Sequence, residues 1–387
     1  MTSEVPVVRV GIVGFGWMGQ VHAKALSRVR QHYPTLGVAP RLVAVADTSD
    51  DGRLAYARDS FGVPFTTHDW RELLDLDDLD LVCVAGPNFT HRDVAVAAAT
   101  AGKHLWIEKP AGRDLAETRQ IAEAVAAAGV RTAVGFNYRN PPAVERARHL
   151  VASGRLGTVR HVRVQMLGDY SAHPDGALTW RFVRELAGSG VIGDLASHGL
   201  DLAQHVVGPV ASLLAEASTF ITERPEATGA ASHFSRGDGG ARLPVENEDH
   251  VAALLRFASG AAGVLEASRA SVGEQNAYGF EVHGSTGAVA WDFRRASELR
   301  ECLDQDFQSA SWSTRFVGPG DGEAGAFQPD AAIPLSFDDL KVVEAHRLLT
   351  SIATGEVTGA TIEDMVATAR LIDAAIRSDA EKRWITV

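Results

Sequence analysis

Val10-Gly-Ile-Val-Gly-Phe-Gly-Trp-Met-Gly19 decides the fold of this chain. Residues 7–13 form an apolar run of strand type, and 22–29 carry a helical pattern, so the three glycines fall at a strand-to-helix turn. Each answers a separate demand. Gly14 permits the tight turn, Gly16 leaves the backbone bare for a pyrophosphate, and Gly19 lets helix and strand pack closely. The helix then offers unpaired N–H groups and the positive end of its dipole to the phosphates. The motif alone would be a glycine-rich turn. With both flanking elements in place it reads as a dinucleotide site.

A second apolar run, 41–47, ends in Asp47. A carboxylate there accepts hydrogen bonds from the adenosine ribose and repels a 2′-phosphate, which favours NAD over NADP. Asp47 lies further from Gly19 than the usual ~20 residues, and the loop-forming stretch 31–40 accounts for the excess. Arg53 is the one nearby residue suited to a 2′-phosphate, so NADP stays as the less favoured alternative.

Working outward, 387 residues are too many for one core of ordinary size and predict two domains. Hydrophobic residues make up 45% and charged residues 22%, which excludes a disordered or fibrous chain. A formal net charge of −12 argues against nucleic acid and anionic membrane as partners. Cys83 and Cys302 are far apart in no metal or redox pattern, which fits a cytoplasmic location. The first six residues are too short and polar for a signal peptide. No apolar run approaches the ~18 residues of a membrane span. The expectation is a soluble protein.

Strand and helix patterns alternate through the first third, as a doubly wound parallel sheet requires. From 157 onward the runs 159–166, 251–257, 263–269, 278–283 and 288–293 alternate in polarity or join by short turns, which predicts a mostly antiparallel sheet. The fold class is therefore α/β: an N-terminal Rossmann domain, 1–135, and an α+β domain with a large, mostly antiparallel sheet, 136–387. Helical patterns cover 142–153, 337–353 and 361–378. Two stretches rich in Gly, Ser and charge, 224–244 and 309–334, read as long loops, either lids and arms or surface ornament.

Candidate chemistry gathers at three places. Pro87-Asn88…His91 follows the fourth strand, where ligands bind in this fold; Asn88 is equally an ordinary helix-start residue. Glu108-Lys109-Pro110 ends the fifth strand, and an ammonium there can stabilise negative charge developing on a substrate oxygen. In the second domain Asp194, His198, Asp201 and His205 fall at i, i+4, i+7 and i+11, one polar stripe if the segment is helical. His198 suits a general base, Asp194 can set its tautomer, and Asp201 can accept from sugar hydroxyls. The two acids and two histidines resemble metal ligands, but they offer no separate ligand set and hydride transfer needs no metal, so none is expected.

At these residues the chain resembles the glucose–fructose oxidoreductase / inositol dehydrogenase / rhizopine-catabolism (Gfo/Idh/MocA) family. The resemblance rests on Gly14-Phe-Gly-Trp-Met-Gly19, Pro87-Asn88…His91, Glu108-Lys109-Pro110, Gly135-Phe-Asn-Tyr138-Arg139 and Gly193-Asp194-x-x-x-His198-x-x-Asp201. It implies a catalytic group of Lys109, Asp194 and His198, with His198 as proton acceptor and Lys109 at the reacting hydroxyl. Tyr138, Arg181 and Asp201 would line the sugar site with them. The expected cofactor contacts are Gly14, Gly16, Trp17, Met18, Gly19, Asp47, Pro87, Asn88, His91, Glu108 and Lys109. Ala85-Gly86 replaces a common threonine, and Ala196-Ser197 stands where a glycine is often found.

The reading that follows is an NAD-dependent dehydrogenase oxidising a secondary hydroxyl of a cyclic polyol, sugar or glycoside. A glycoside-cleaving enzyme that oxidises C3 transiently with tightly held NAD is the alternative, and a non-catalytic dinucleotide sensor is a third. A partly apolar sheet face in the second domain predicts a homodimer or homotetramer.

Overall fold

The computed structural model describes residues 5–227, 235–237, 240–303 and 306–387. The chain forms two compact units, Met1–Asn137 with Ser336–Val366, and Tyr138–Leu335 with Ala367–Val387.

In the first unit six strands alternate with five helices: β1 (Val7–Val13), α1 (Trp17–His32), β2 (Ala39–Ala46), α2 (Arg53–Phe61), β3 (Phe65–Thr67), α3 (Trp70–Leu74), β4 (Leu81–Val84), α4 (Asn88–Thr100), β5 (His104–Ile107), α5 (Leu115–Ala128) and β6 (Thr132–Val134). The strands pair in parallel in the order β3-β2-β1-β4-β5-β6. All four residues of β4 are buried, as expected for a parallel strand covered on both faces. The glycine motif sits where the strand order reverses, the place at which this fold binds nucleotides.

Two of the motif's glycines are enforced by contact. Gly14 has φ +88°, and a Cβ on it would lie 2.5 Å from the Gly86 backbone. The turn after β1 therefore abuts the turn after β4. A Cβ on Gly19 would come within 2.0 Å of the Gly14 carbonyl oxygen, so no other residue lets α1 approach this closely.

The second unit is built on a sheet of nine strands. Its members in chain order are β7 (Val159–Leu167), β8 (Val210–Ser218), β11 (His250–Phe257), β12 (Ala262–Ser268), β13 (Ala277–Gly284), β14 (Ala288–Asp292), β15 (Glu298–Cys302), β16 (Ser313–Phe316) and β17 (Ile385–Thr386). A separate pair, β9 (Glu223–Pro225) and β10 (Arg242–Pro244), forms a small antiparallel ribbon. The sheet order is β16-β15-β14-β13-β7-β12-β11-β8-β17. Among the described residues, only β7 and β12 pair in parallel in this sheet. Along β11, burial alternates residue by residue, so one sheet face is covered and the other solvated.

Helices α6 (Pro142–Ala152), α7 (Arg184–Ala187) and α8 (Ser197–Val207) belong to this unit. Helix α8 meets the covered face at Gly199, whose Cβ would stand 3.0 Å from Val164, Met166 and Leu265. A glycine one residue after His198 thus lets the helix lie close on β7 and β12. Two long helices, α9 (Phe337–Thr354) and α10 (Ile362–Glu381), precede β17.

The structure departs from the sequence reading in four respects. Residues 336–366 pack with the first unit, because α9 lies along α1 and its buried face joins that core. The strands β8, β15, β16 and β17 were not expected. Part of 309–334 is no loop, since β16 pairs with β15 at the sheet edge. Within 224–244, residues 228–234 and 238–239 lie outside the described residues, and the flanks form the β9–β10 ribbon. No helix among the described residues is long and apolar enough to cross a membrane.

Candidate active site

The nucleotide loops are held from beneath by Asp47. The Phe15 N–H donates to its Oδ2 at 2.6 Å and the Ser49 N–H to its Oδ1 at 2.8 Å, while Arg53 stands 3.5 Å away. The residue placed by sequence at the ribose thus also anchors the glycine turn. Gly16 begins α1 as an N-cap without a side-chain acceptor, so the helix's first N–H groups are of the kind an anion satisfies. A Cβ on Gly16 would meet nothing nearer than Arg53 at 3.7 Å. This open, uncapped turn fits a pyrophosphate. Trp17 is 63% exposed and stacks on Phe337 at 5.3 Å, and Met18 is half-buried beside it.

The loops after β4 and β5 are tied together by His91. Its ring nitrogens lie 2.9 Å from the Pro110 carbonyl oxygen and 2.8 Å from that of Gly86. The ring is buried, and that burial pulls its pKa down despite both carbonyls. A neutral ring donates to one carbonyl at a time. The side chain expected at the cofactor therefore braces the two loops that carry Pro87-Asn88 and Lys109-Pro110. Lys109 itself is half-buried, and the peptide joining it to Pro110 is cis.

Glu108 also differs from expectation. Its carboxylate faces a buried charge cluster: Lys341 Nζ donates to Oε1 at 2.6 Å, and His22 Nε2 lies 2.9 Å from the same oxygen. Lys341 also donates to Glu344 at 2.8 Å, as does the Trp106 indole N–H at 2.6 Å. The His22 ring stacks on Trp106 at 3.8 Å. Burial pushes the Glu108 carboxyl up, but Lys341 and His22 outweigh it and hold it well below the carboxylate range. For Glu344 burial prevails over Lys341 and the shift is upward. Burial likewise keeps His22 below its ordinary value, against the hydrogen bond with Glu108. His22, Glu108 and Glu344 present ligand atoms within 4.8 Å of one another, as a cation would require. Here the Lys341 ammonium fills that place.

In the second unit the polar stripe is not one regular helix. Residues Ile192–Ala196 form a π-turn leading into α8, and such turns often mark functional positions. Its start is held by Glu248, which accepts from the Gly190 N–H at 2.7 Å and the Ile192 N–H at 3.0 Å. Each stripe residue meets a partner from elsewhere in the chain. The Tyr170 hydroxyl donates to Asp194 Oδ2 at 2.5 Å. The His198 ring is buried edge-on against Tyr138 at 4.7 Å. Tyr138 in turn packs on Tyr278 and Phe293. Arg139 forks onto Asp201, Nε to Oδ2 at 2.7 Å. His205 stands 4.0 Å from Glu145. Asp201, read as an acceptor for sugar hydroxyls, is instead half of a buried ion pair. Arg181 is half-buried with its guanidinium over Trp180 at 4.4 Å.

Sequence reasoning missed His22, Lys341, Glu344, Tyr170, Arg139 as a partner, and Glu248. A signal existed for Lys341 and Glu344, two charges inside the apolar run 340–345. It missed Asn137 as well, which is buried with neither amide atom hydrogen-bonded among the described residues; a bound ligand or water satisfies such a group.

Residues 8–136 match the model described as an oxidoreductase family with an NAD-binding Rossmann fold, and 144–290 match the GFO/IDH/MocA C-terminal domain. A levoglucosan dehydrogenase of Pseudarthrobacter phenanthrenivorans is 34% identical over 98% of each chain. An inositol 2-dehydrogenase of Rhizobium meliloti is 29% identical over 98% of this chain and 99% of its own. A levoglucosan dehydrogenase solved with NADH and levoglucosan superposes with a TM-score of 0.91 at 32% identity, covering 98% of this chain and 99% of that one. The chain belongs to the GFO/IDH/MocA oxidoreductase family, and its first unit is an NAD-binding Rossmann fold.

The buried cluster yields a stability test. Lys341→Met leaves two buried carboxylates facing each other and should cost about 3–5 kcal/mol in denaturant unfolding. Adding Glu344→Gln removes one of those charges and should recover part of the loss. Equal stability of wild type and Lys341→Met would contradict the pairing.

Proposed function

From membership of this family, we propose that the chain is an NAD-dependent dehydrogenase that oxidises a secondary hydroxyl of a cyclic polyol, sugar or glycoside, with anhydrosugars the first class to test. The observation that carries this reading is the end-to-end likeness to levoglucosan dehydrogenase. When bound, NAD⁺ supplies the hydride acceptor. His198 takes the hydroxyl proton as hydride leaves the same carbon, and Asp194, one helical turn earlier, sets the orientation of its ring. The Lys109 ammonium hydrogen-bonds the reacting oxygen and offsets its developing charge. Tyr138 and Arg181 line the sugar. Asp201 acts through Arg139, steadying α8 rather than touching substrate. Asp47 favours NAD⁺ over NADP⁺. The free cysteines Cys83 and Cys302 are in keeping with a cytoplasmic enzyme.

His198→Ala should lose about 10²–10⁴-fold in kcat, the usual worth of general acid–base assistance. Lys109→Ala should lose a comparable factor, and NAD⁺ affinity should change little in either variant. The assay follows NAD⁺ reduction across anhydrosugars, inositols, monosaccharides and glycosides. Near-normal rates in His198→Ala with an unchanged pH profile would put the base elsewhere. Glycoside cleavage without net NADH would favour the transient-oxidation alternative.

The solvated face of the nine-stranded sheet supports self-association. It carries a concavity of about 880 Å³ whose lining includes Leu254 and Val264, exposed by 47% and 38%. We propose a homodimer or homotetramer through this face. Light scattering should give a multiple of the chain mass, and Leu254→Glu with Val264→Glu should reduce it. A single-chain mass for the wild type would remove the proposal.

A further inference from the structure

Tyr170 lies outside the family motifs and meets Asp194, one of the proposed catalytic residues. It sits in the loop after β7, and that loop is pinned on both sides of it. The Gly168 N–H donates to the Ser268 carbonyl at 2.8 Å, the Ser271 N–H donates back to Gly168 at 3.0 Å, and the Ser171 N–H donates to Arg269 at 3.0 Å. The next turn is held too, since the Arg224 guanidinium donates to the Ser171 carbonyl. A Cβ on Gly168 would lie 3.4 Å from the Tyr170 ring and 3.6 Å from the Tyr278 hydroxyl, so the loop also closes tightly on the two phenols. A side chain carried on so constrained a backbone delivers its hydroxyl to one point, and that point is Asp194 Oδ2 at 2.5 Å.

We propose that Tyr170 is a positioning residue: its phenol fixes the rotation of the Asp194 carboxylate, and through Asp194 the orientation of His198. This rests on the reading of Asp194 and His198 given above. The arrangement holds Asp194 from one side by a neutral donor, while Gly190 and Glu248 fix the backbone of the π-turn that bears it. Burial, and next the Asp194 charge, raise the Tyr170 phenol far above its ordinary value, so it remains a donor through the working range. Among the described residues, the titratable groups around the pair include His198 on α8, Tyr278 on β13, Asp169 beside Tyr170, and Arg269 beyond β12. Burial and the Asp194 charge push Tyr278 up as well, so neither phenol titrates near neutrality. A neutral donor that stabilises only the ionised carboxylate lowers the carboxyl's pKa. Removing it must raise that pKa, and replacing it by a more acidic phenol must lower it further.

The test reads Asp194 directly. Full-length protein labelled with ¹³C at aspartate carboxyls is titrated by NMR as wild type, Tyr170→Phe and Tyr170→3-fluorotyrosine, with Asp194→Asn identifying the signal. The Asp194 carboxyl should titrate at higher pH in Tyr170→Phe, by about tenfold in proton affinity, the worth of one hydrogen bond to a charged group. In the fluorinated protein, which keeps the shape of tyrosine, it should titrate at lower pH. With levoglucosan and NAD⁺, Tyr170→Phe should lose about tenfold in kcat with NAD⁺ affinity unchanged, and the acid limb of its pH profile should move up in step. An Asp194 titration that does not move in the fluorinated protein overturns the inference, whether or not Tyr170→Phe folds. Wild-type levoglucosan oxidation by Asp194→Asn would instead overturn the catalytic reading on which it rests.

Discussion

The Lys341 ammonium, held between the carboxylates of Glu108 and Glu344, is the interaction on which the nucleotide-binding unit depends. Around it meet the end of β5, the helix α1 that starts at the glycine turn, through His22, and helix α9, which supplies Lys341 and Glu344. Taking these charges out of water costs several kcal/mol per ion, and a well-packed apolar set could be as stable. What the cluster supplies is geometry. A lysine has three donors, and two of them go to defined oxygens on two elements, with the Trp106 N–H and the His22 ring closing the arrangement. Glu108 is adjacent in sequence to Lys109, so the loop that presents the proposed catalytic ammonium starts from a residue that cannot shift without breaking buried ion pairs. His91 repeats the device on the other side, joining the Gly86 and Pro110 carbonyls across two loops.

The second unit orders its acids in the same way. Asp249 accepts from Arg269 Nε at 2.9 Å and from the Phe220 and Ile221 N–H groups. Glu248 holds the start of the π-turn, Arg139 holds Asp201, and Tyr170 holds Asp194. Donors drawn from loops distant in sequence thus fix a helix whose approach to the sheet is set by Gly199. Acids tied by buried donors cannot rotate freely, and a general base supported by such an acid, as proposed for His198 and Asp194, would begin each turnover already oriented.

Much of this was legible in the sequence because the demands are local. Gly14 and Gly19 answer to a positive φ and to a contact with the residue one turn away, so their spacing alone carries the meaning. The period-2 pattern of β11 was legible for the same reason. Other features were not. Val-Ala-Ser-Leu-Leu-Ala-Glu-Ala-Ser, residues 210–218, is rich in helix formers, and it becomes β8 through pairing with β11 and β17. All four residues of β16 are exposed, so no alternation announces that edge strand. Lys341 and Glu344 stand out only as two charges within an apolar run, and their spacing is also that of an ordinary surface pair, so their partner Glu108 is set by the packing of α9. Tyr170 and Asp194 belong to elements that meet only in the fold. No local pattern records such a pairing.

The proposed reaction moves hydride from a carbinol carbon of a cyclic substrate to NAD⁺ as a net reaction. The most direct measurement uses levoglucosan carrying deuterium on its ring carbons, NAD⁺ in excess and mass spectrometry of the nicotinamide product. The account predicts one deuterium in each reduced nicotinamide, one keto product per NADH, and a slower rate than with unlabelled sugar. Reduced nicotinamide without deuterium, or consumption of sugar and glycosides with none of the cofactor left reduced, would contradict it.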